Sequence, residues 1–382
     1  MMSKAIRRPA RRPRPPAAAP APVSAALVAL AVLAGLGTLA GCGTAGHDPG
    51  AQSAPSIGVL MPDTQTARWE EFDDPFLERY IKDRCPRCTV ESVNAQNDVA
   101  VQQRQMMSMI TAGYDVLILS AVDATAIASS VEEADREGIP VIAYDRMAQG
   151  PIDAYVSFDN SRVGELQGYA LLGALAGVGR NRDARIVLMN GSATDPNAEV
   201  FARGARQVLA GQVDIVREFD TPGWAPRHAR LNMSGALADL GPDHIDGVLA
   251  TSDGLAAGVI AAYRAAQIDP PPPVTGQDAE LAAIQRILEG DQYMTVYKPY
   301  QEEARPAAAM AVALARGESP DSAATTTVPL GDGSRVPAVL AEPLAVTAGN
   351  VKSEVVGDGL YTAEDICTPR YEEACRRNGL LP

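Results

Sequence analysis

From Ser56 onward, short apolar runs alternate with helical stretches, and that alternation leaves few folds open to the chain. Candidate strands are Ser56–Leu60, Thr89–Asn94, Asp115–Ser120, Pro140–Tyr144 and Ala154–Phe158. A second series follows at Ala184–Met189, Asp214–Phe219, Gly247–Thr251, Pro273–Thr275 and Tyr293–Tyr297. Helical patterns separate them, among them Val101–Ala112, Ala124–Glu137, Val163–Ala176, Ala198–Ala210, Leu255–Gln267 and Leu281–Leu288. The runs DVLILS and ARIVLM are almost wholly apolar, as strands covered on both faces must be. The reading is α/β, with parallel sheets flanked by helices. Roughly 325 residues follow Ser56, more than one core comfortably organises and suited to two.

The strands share a chemical ending. IGVLMPD closes on Asp63, LILS on Ser120, VIAYD on Asp145 and YVSFD on Asp159. In the second series IVLMN closes on Asn190, VLATSD on Asp253 and VTGQD on Asp278. Open α/β sheets bind ligands just beyond the carboxyl ends of their strands. Helix capping accounts for some of these residues, Asp123 among them, but seven polar exits exceed what capping requires.

Several positions combine apolar faces with charge. Arg68 and Trp69 follow the first strand, where a ring face and a guanidinium fork together suit a ligand with both C–H and hydroxyl surfaces. Core packing is the competing account of Trp69. Asp145 and Arg146 neutralise each other while keeping spare acceptors and donors, which matches a neutral polyol; a plain strand-end salt bridge is the alternative. Asn197 opens a helix, Trp224 lies in a loop after a strand, and Asp253, Asp278 and Lys298 stand at strand ends.

Enzymatic signatures are missing. There is no GxxxxGK[ST], no GxGxxG after a strand and no GxSxG elbow. His47, His228 and His244 lack metal-ligand spacing, so neither metal nor cofactor is expected. Glycoside hydrolysis would need two carboxylates at a set separation, which nothing in the sequence establishes. Cys85 and Cys88 follow a helical run and precede a strand, the reverse of a thioredoxin-type redox site. Disulfides Cys85–Cys88 and Cys367–Cys375 are the expectation.

The N-terminus reads as an export device. Lys4, Arg7, Arg8, Arg11, Arg12 and Arg14 precede an uncharged stretch from Val23 to Ala40, the order found in secretion signals. Leu39-Ala40-Gly41-Cys42 resembles a bacterial lipobox, which makes Cys42 the lipidated residue and new N-terminus. Residues 1–41 are thus read as signal peptide and 42–55, rich in Gly, Ala, Ser and Pro, as a flexible tether. Six of the 33 basic residues precede Cys42, so 27 basic residues face 47 acidic ones in the mature part, a net of −20. That balance excludes nucleic acid and electrostatic attachment to anionic lipid.

The segments MPDTQTARW, GIPVIAYDRM, YVSFDNSRVGELQ, LMNGSATDPNA, VTGQDAELAAIQRILEGDQYMTVYKP and YTAEDICTPRYEEAC occur in one order across the chain. In them the sequence resembles the sugar-binding proteins of ABC transporters, the type I periplasmic binding proteins, and within these the D-xylose binders and multiple-aldose binders. The resemblance implies two Rossmann-like lobes joined by three crossings, a monosaccharide in the cleft, a membrane permease as partner and a monomeric body. It puts the crossings after Phe158-Asp159-Asn160, near Gln277–Glu280 and near Gly331–Arg335. The resulting division is 56–159 and 279–333 in lobe 1, with 160–278 and 334–382 in lobe 2. It also implies ligand contacts from Arg68, Trp69, Asp145, Arg146, Asn197, Trp224, Asp253, Asp278 and Lys298. Two departures stand out: Ser252 replaces an Asn of the family's SNDA-type turn, and Pro196 replaces one in DNNA. Import and sensing of the bound sugar are both compatible with this pattern.

Overall fold

The computed structural model describes residues 54–180 and 183–382. The signal segment, Cys42 and nearly all of the tether lie outside the described residues. The first lobe begins β1 (Ser56–Met61), α1 (Asp74–Arg84), β2 (Thr89–Asn94), α2 (Val99–Ala112), β3 (Val116–Leu119), α3 (Ala128–Arg136), β4 (Val141–Tyr144) and β5 (Ala154–Phe158). The second lobe continues with α4 (Asn160–Gly177), β6 (Arg185–Met189), α5 (Pro196–Leu209), β7 (Asp214–Phe219), α6 (Pro226–Leu240), β8 (Gly247–Ala250), α7 (Asp253–Ala265), α8 (Leu281–Glu289) and β9 (Met294–Tyr297). The chain then returns with α9 (Tyr300–Leu314), β10 (Thr326–Pro329) and β11 (Arg335–Ala341) before β12 (Leu344–Thr347) and a short helical tail.

Seven strands form the first sheet in the order β10-β11-β5-β4-β3-β1-β2. All pairs are parallel except the β10–β11 hairpin at its edge. Side-chain alternation divides its core cleanly. Ile57, Val59, Ile118 and Val156 meet α1 and α9 through Leu77, Ile81, Ala304 and Ala308. Leu60, Leu117, Leu119 and Val141 meet Met106, Met109 and Val131 of α2 and α3.

The second lobe is built on β7-β6-β8, also parallel. Single bridges Val248–Val274 and Gln277–Val296 carry the layer on to β9, which pairs antiparallel with β12. The expected strand Pro273–Thr275 shrinks to that one bridge at Val274, since the prolines before it have no N–H for a ladder. Helices α4 and α5 pack at backbone distance. A Cβ on Gly164 would lie 2.0 Å from the Phe201 carbonyl oxygen, and one on Gly204 would lie 2.3 Å from that of Ser161. Only glycine permits so close an approach.

Two of the expected crossings move. The return to lobe 1 expected from residue 279 comes later, because Ile284, Ile287 and Leu288 of α8 pack on Val346, Val351, Val355 and Ile366 of the second lobe. The chain instead returns between β9 and α9. Residues 334–341 are not part of lobe 2, because β11 lies parallel beside β5 in the first sheet. The last crossing therefore falls between Ala341 and Leu344. Both expected disulfides are present, with Cα–Cα distances of 5.3 Å for Cys85–Cys88 and 5.9 Å for Cys367–Cys375. Among the described residues no helix is long and apolar enough to cross a membrane.

Candidate functional site

After β1 the chain enters a π-helical turn, Trp69–Asp73, a widened geometry that recurs at functional sites. It aims Arg68 inward. Nε and Nη2 of Arg68 donate to the Asp73 carboxylate at 2.6 and 2.8 Å, and Nη1 donates to Asp145 at 2.8 Å. Nη2 also meets Glu303 of α9. The guanidinium is 2% exposed. Burial opposes its charge, but the Asp73, Glu303 and Asp145 carboxylates overcome that cost and hold it protonated. Trp69, also 2% exposed, has the guanidinium carbons of Arg68 and Arg146 at 4.4 and 5.4 Å from its ring centre. Both lie in cation–π range.

Beyond β4, Asp145 takes a left-handed backbone (φ 58°), a conformation non-glycine residues adopt mainly where the surroundings enforce it. Tyr155 and Ser157 donate to its carbonyl at 2.9 and 2.8 Å, which holds the turn. Burial works against its charge, yet Lys298, Arg68 and Arg146 keep the carboxyl below its usual range. Arg146 pairs with Asp195 at 2.8 Å and Asp63 at 3.2 Å. Asp195 belongs to the second lobe, so this pair spans the cleft.

The second lobe answers with the N-terminus of α5. Asp195 caps it, accepting from the Asn197 N–H at 2.9 Å. Pro196 occupies the first turn, where its missing N–H costs nothing. The Asn197 amide crosses the cleft to the carbonyl and carboxylate of Asp145 at 3.0 and 3.1 Å. Trp224 donates its indole N–H to Asp195 at 3.1 Å. Its ring lies so close to Gly191 that a Cβ there would be 2.0 Å away. Gly191→Ala is therefore expected to displace Trp224 and cost about 1–3 kcal/mol of stability. Urea denaturation checks this; an unchanged midpoint would refute the packing constraint.

Lys298 leaves β9 with its ammonium 3.4 Å from Asp278 and 3.8 Å from Asp145. These groups close around a small cavity between the lobes. Its wall includes Arg68, Trp69, Asp145, Arg146, Asn197, Trp224, Asp278 and Lys298, eight of the nine expected residues. Asp253 is the exception. Its carboxylate is wholly buried and accepts from Gln292 at 2.7 Å and from the Glu280 N–H and Thr295 hydroxyl at 2.9 Å each. With three donors drawing it toward Gly276 and β9, Asp253 braces the frame instead of lining the cavity.

Asp253 has an acidic neighbour. Burial, reinforced by Asp253 and Asp278, pushes the Glu280 carboxyl up to about 8. An acid whose pKa is raised by folding binds more protons folded than unfolded, so its stabilising effect is lost as pH climbs. Stability is expected to fall between about pH 5 and pH 8, and Glu280→Gln to flatten that slope. Melting curves across this range test it; identical slopes in both proteins would exclude Glu280 as the source.

Sequence reasoning missed five residues in the wall: Thr66, Asp195, Phe201, Ser252 and Gln277. Asp195 carried a local signal as a helix cap. Asp73 and Glu303, which clamp Arg68 from behind, lie in helical segments and carried none. Ser252 caps α7 by accepting from the Leu255 N–H at 3.2 Å.

Residues 57–319 match the family model described as periplasmic binding protein domain. The chain belongs to the periplasmic binding protein family. It is 35% identical over 316 residues to the D-xylose-binding periplasmic protein of Escherichia coli K12, covering 81% of this chain and 92% of that one. It is 32% identical over 331 residues to the multiple sugar-binding periplasmic protein SbpA of Azospirillum brasilense, covering 82% and 91%. Among solved structures, a solute-binding protein of Clostridium phytofermentans with bound β-D-glucose superposes with a TM-score of 0.72 at 29% identity, covering 81% of this chain and 99% of that one. As a periplasmic binding protein the chain has the two-lobed type I architecture and is a binder, not an enzyme.

Proposed function

We propose that this periplasmic binding protein is the substrate-binding lipoprotein of a sugar ABC importer and captures a neutral aldopyranose, D-xylose first, between its lobes. The observation that carries the reading is the charge arrangement of the cavity. Three cations, Arg68, Arg146 and Lys298, are already matched by Asp73, Asp145 and Glu303, by Asp63 and Asp195, and by Asp145 and Asp278. A phosphate or sugar acid would find no free cation and several carboxylates against it. A neutral polyol adds hydroxyls that both donate and accept, while Trp69 and Trp224 offer faces to its C–H surfaces. Contacts from both lobes make the ligand a bridge that stabilises the closed form, the shape a permease distinguishes from an empty one.

Calorimetric titration of the body from Gly43 with D-xylose, glucose, galactose, arabinose and ribose tests this. Tight one-to-one binding of xylose alone supports the specific reading. A wider aldose range is the second reading, favoured by glucose in the relatives from Clostridium phytofermentans and Chloroflexus aurantiacus, 29% and 28% identical. No binding to folded, ligand-stripped protein would overturn both.

The lipid on Cys42 supplies the anchor in this reading, at about 0.8 kcal/mol per buried methylene. Cys42→Ser is expected to release the protein from the membrane fraction; unchanged partitioning into detergent would exclude the anchor.

A further inference from the structure

Gln277 is an amide of the cavity wall with neither end engaged, unlike Asn197. It is 3% exposed, yet its Oε1 is buried with no hydrogen-bond partner, and its amide nitrogen donates to no group among the described residues. Every other buried glutamine among the described residues is committed at one end at least: Gln167 donates to the Ala250 carbonyl at 3.1 Å and Gln285 to that of Ile366 at 3.1 Å, and two more are committed at both ends. Gln102 donates to the Ser120 carbonyl and accepts from the Val122 N–H, each at 2.8 Å. Gln292 donates to Asp253 at 2.7 Å and accepts from Arg286 at 2.9 Å. In the same wall Asn197 is committed to Asp145, Trp224 to Asp195 and Ser252 to the Leu255 N–H, while Asp278 has its Oδ1 paired only with the Lys298 ammonium at 3.4 Å.

The free amide is not a sign of a loose segment. The Gln277 carbonyl accepts from the Asp253 N–H at 2.9 Å, and the next N–H, of Asp278, donates to the Val296 carbonyl at 2.8 Å. A firmly bonded backbone thus holds an unengaged donor and an unengaged acceptor in the cavity wall. A buried amide in that state is costly, and in a cavity wall a ligand would complete it. The indole N–H of Trp69, across the cleft, is buried and unpartnered too.

We propose that Gln277 is a specificity-determining ligand contact, its amide bonding two adjacent hydroxyls of the sugar, accepting from one and donating to the other. The proposal rests on the neutral-sugar reading above and adds to it a contact from the second lobe that discriminates hydroxyl positions. An amide suits vicinal hydroxyls because its donor and acceptor lie side by side at fixed spacing.

The test uses Gln277→Met, which keeps the shape and removes both polar ends, beside Gln277→Glu, which keeps an acceptor and loses the donor. Each is titrated with the tightest aldose and with its monodeoxy analogues. Gln277→Met is expected to lose about 10- to 100-fold in affinity while melting no lower than wild type, because a merely structural amide would instead cost stability. At each of the two hydroxyls Gln277 reads, removal of the hydroxyl should penalise Gln277→Met less than wild type. At the other positions both proteins should be penalised alike. Full affinity in Gln277→Met, or a penalty at every deoxy position equal in the two proteins, would overturn the proposal while leaving the sugar reading intact. Wild-type protein that binds no neutral sugar would overturn both.

Discussion

Asp145→Asn is expected to lower sugar affinity by roughly 100- to 1,000-fold while the protein stays folded. Asparagine tolerates the left-handed backbone that Asp145 adopts, so the turn after β4 survives. Arg68 also keeps two carboxylates, Asp73 and Glu303. What changes is the centre of the site. The carboxylate of Asp145 is shared by Arg68 at 2.8 Å, Asn197 at 3.1 Å and Lys298 at 3.8 Å. An amide accepts with one end only and turns donors toward donors at the other. It also frees Lys298 from one of its two carboxylates, shifting the charge a neutral ligand meets. Calorimetry with circular dichroism reads both halves of the prediction. Affinity within a factor of five of wild type would show that Asp145 is structural and that the cleft is misassigned.

Trp69→Ala should hit stability and binding together. Truncating a buried tryptophan costs about 3–5 kcal/mol, and here it also removes the ring that two guanidiniums approach. Urea unfolding measures the first effect and sugar titration the second, with loss of at least 100-fold expected. Trp69→Phe is the informative companion, since it retains an apolar face and should recover part of both. The chain has two tryptophans, and both line the cavity. Sugar should therefore change the intrinsic fluorescence, and in Trp69→Ala any residual change reports on Trp224 alone. A Trp69→Ala protein that binds normally would reduce this residue to core packing.

Much of the site was legible because its signals are local. A strand that ends in Asp or Asn at the carboxyl edge of a parallel sheet is already at the ligand-binding edge. Asp145 and Asp278 were read in this way, and Arg146 and Lys298 from their places just after strand ends. Asp253 shows the limit of the rule. It sits at an equivalent strand exit, but Gln292, Thr295 and the Glu280 N–H, far along the chain, claim its oxygens. The reverse case is the clamp on Arg68. Glu303 lies 235 residues away on α9, and no pattern around it announces that it reaches the cavity's rear.

The sequence alone determined what depends on neighbours in the chain. Apolar runs of strand length, helical periodicity and polar exits specified an α/β fold with two series of units, and close cysteine spacing specified the two bridges. Tertiary structure decided what depends on partners distant in the chain. That α8 and β9 stay in the second lobe follows from Ile284, Ile287 and Leu288 meeting Val346 and Val355. That β11 joins the first follows from its ladder to β5. The same holds for function. Residue types foretold a polar cavity, but which carboxylates are spent on arginines, and that Gln277 is spent on nothing, depends on packing that brings separate segments within 3 Å. Hydrogen bonds act over that distance and sequence patterns do not.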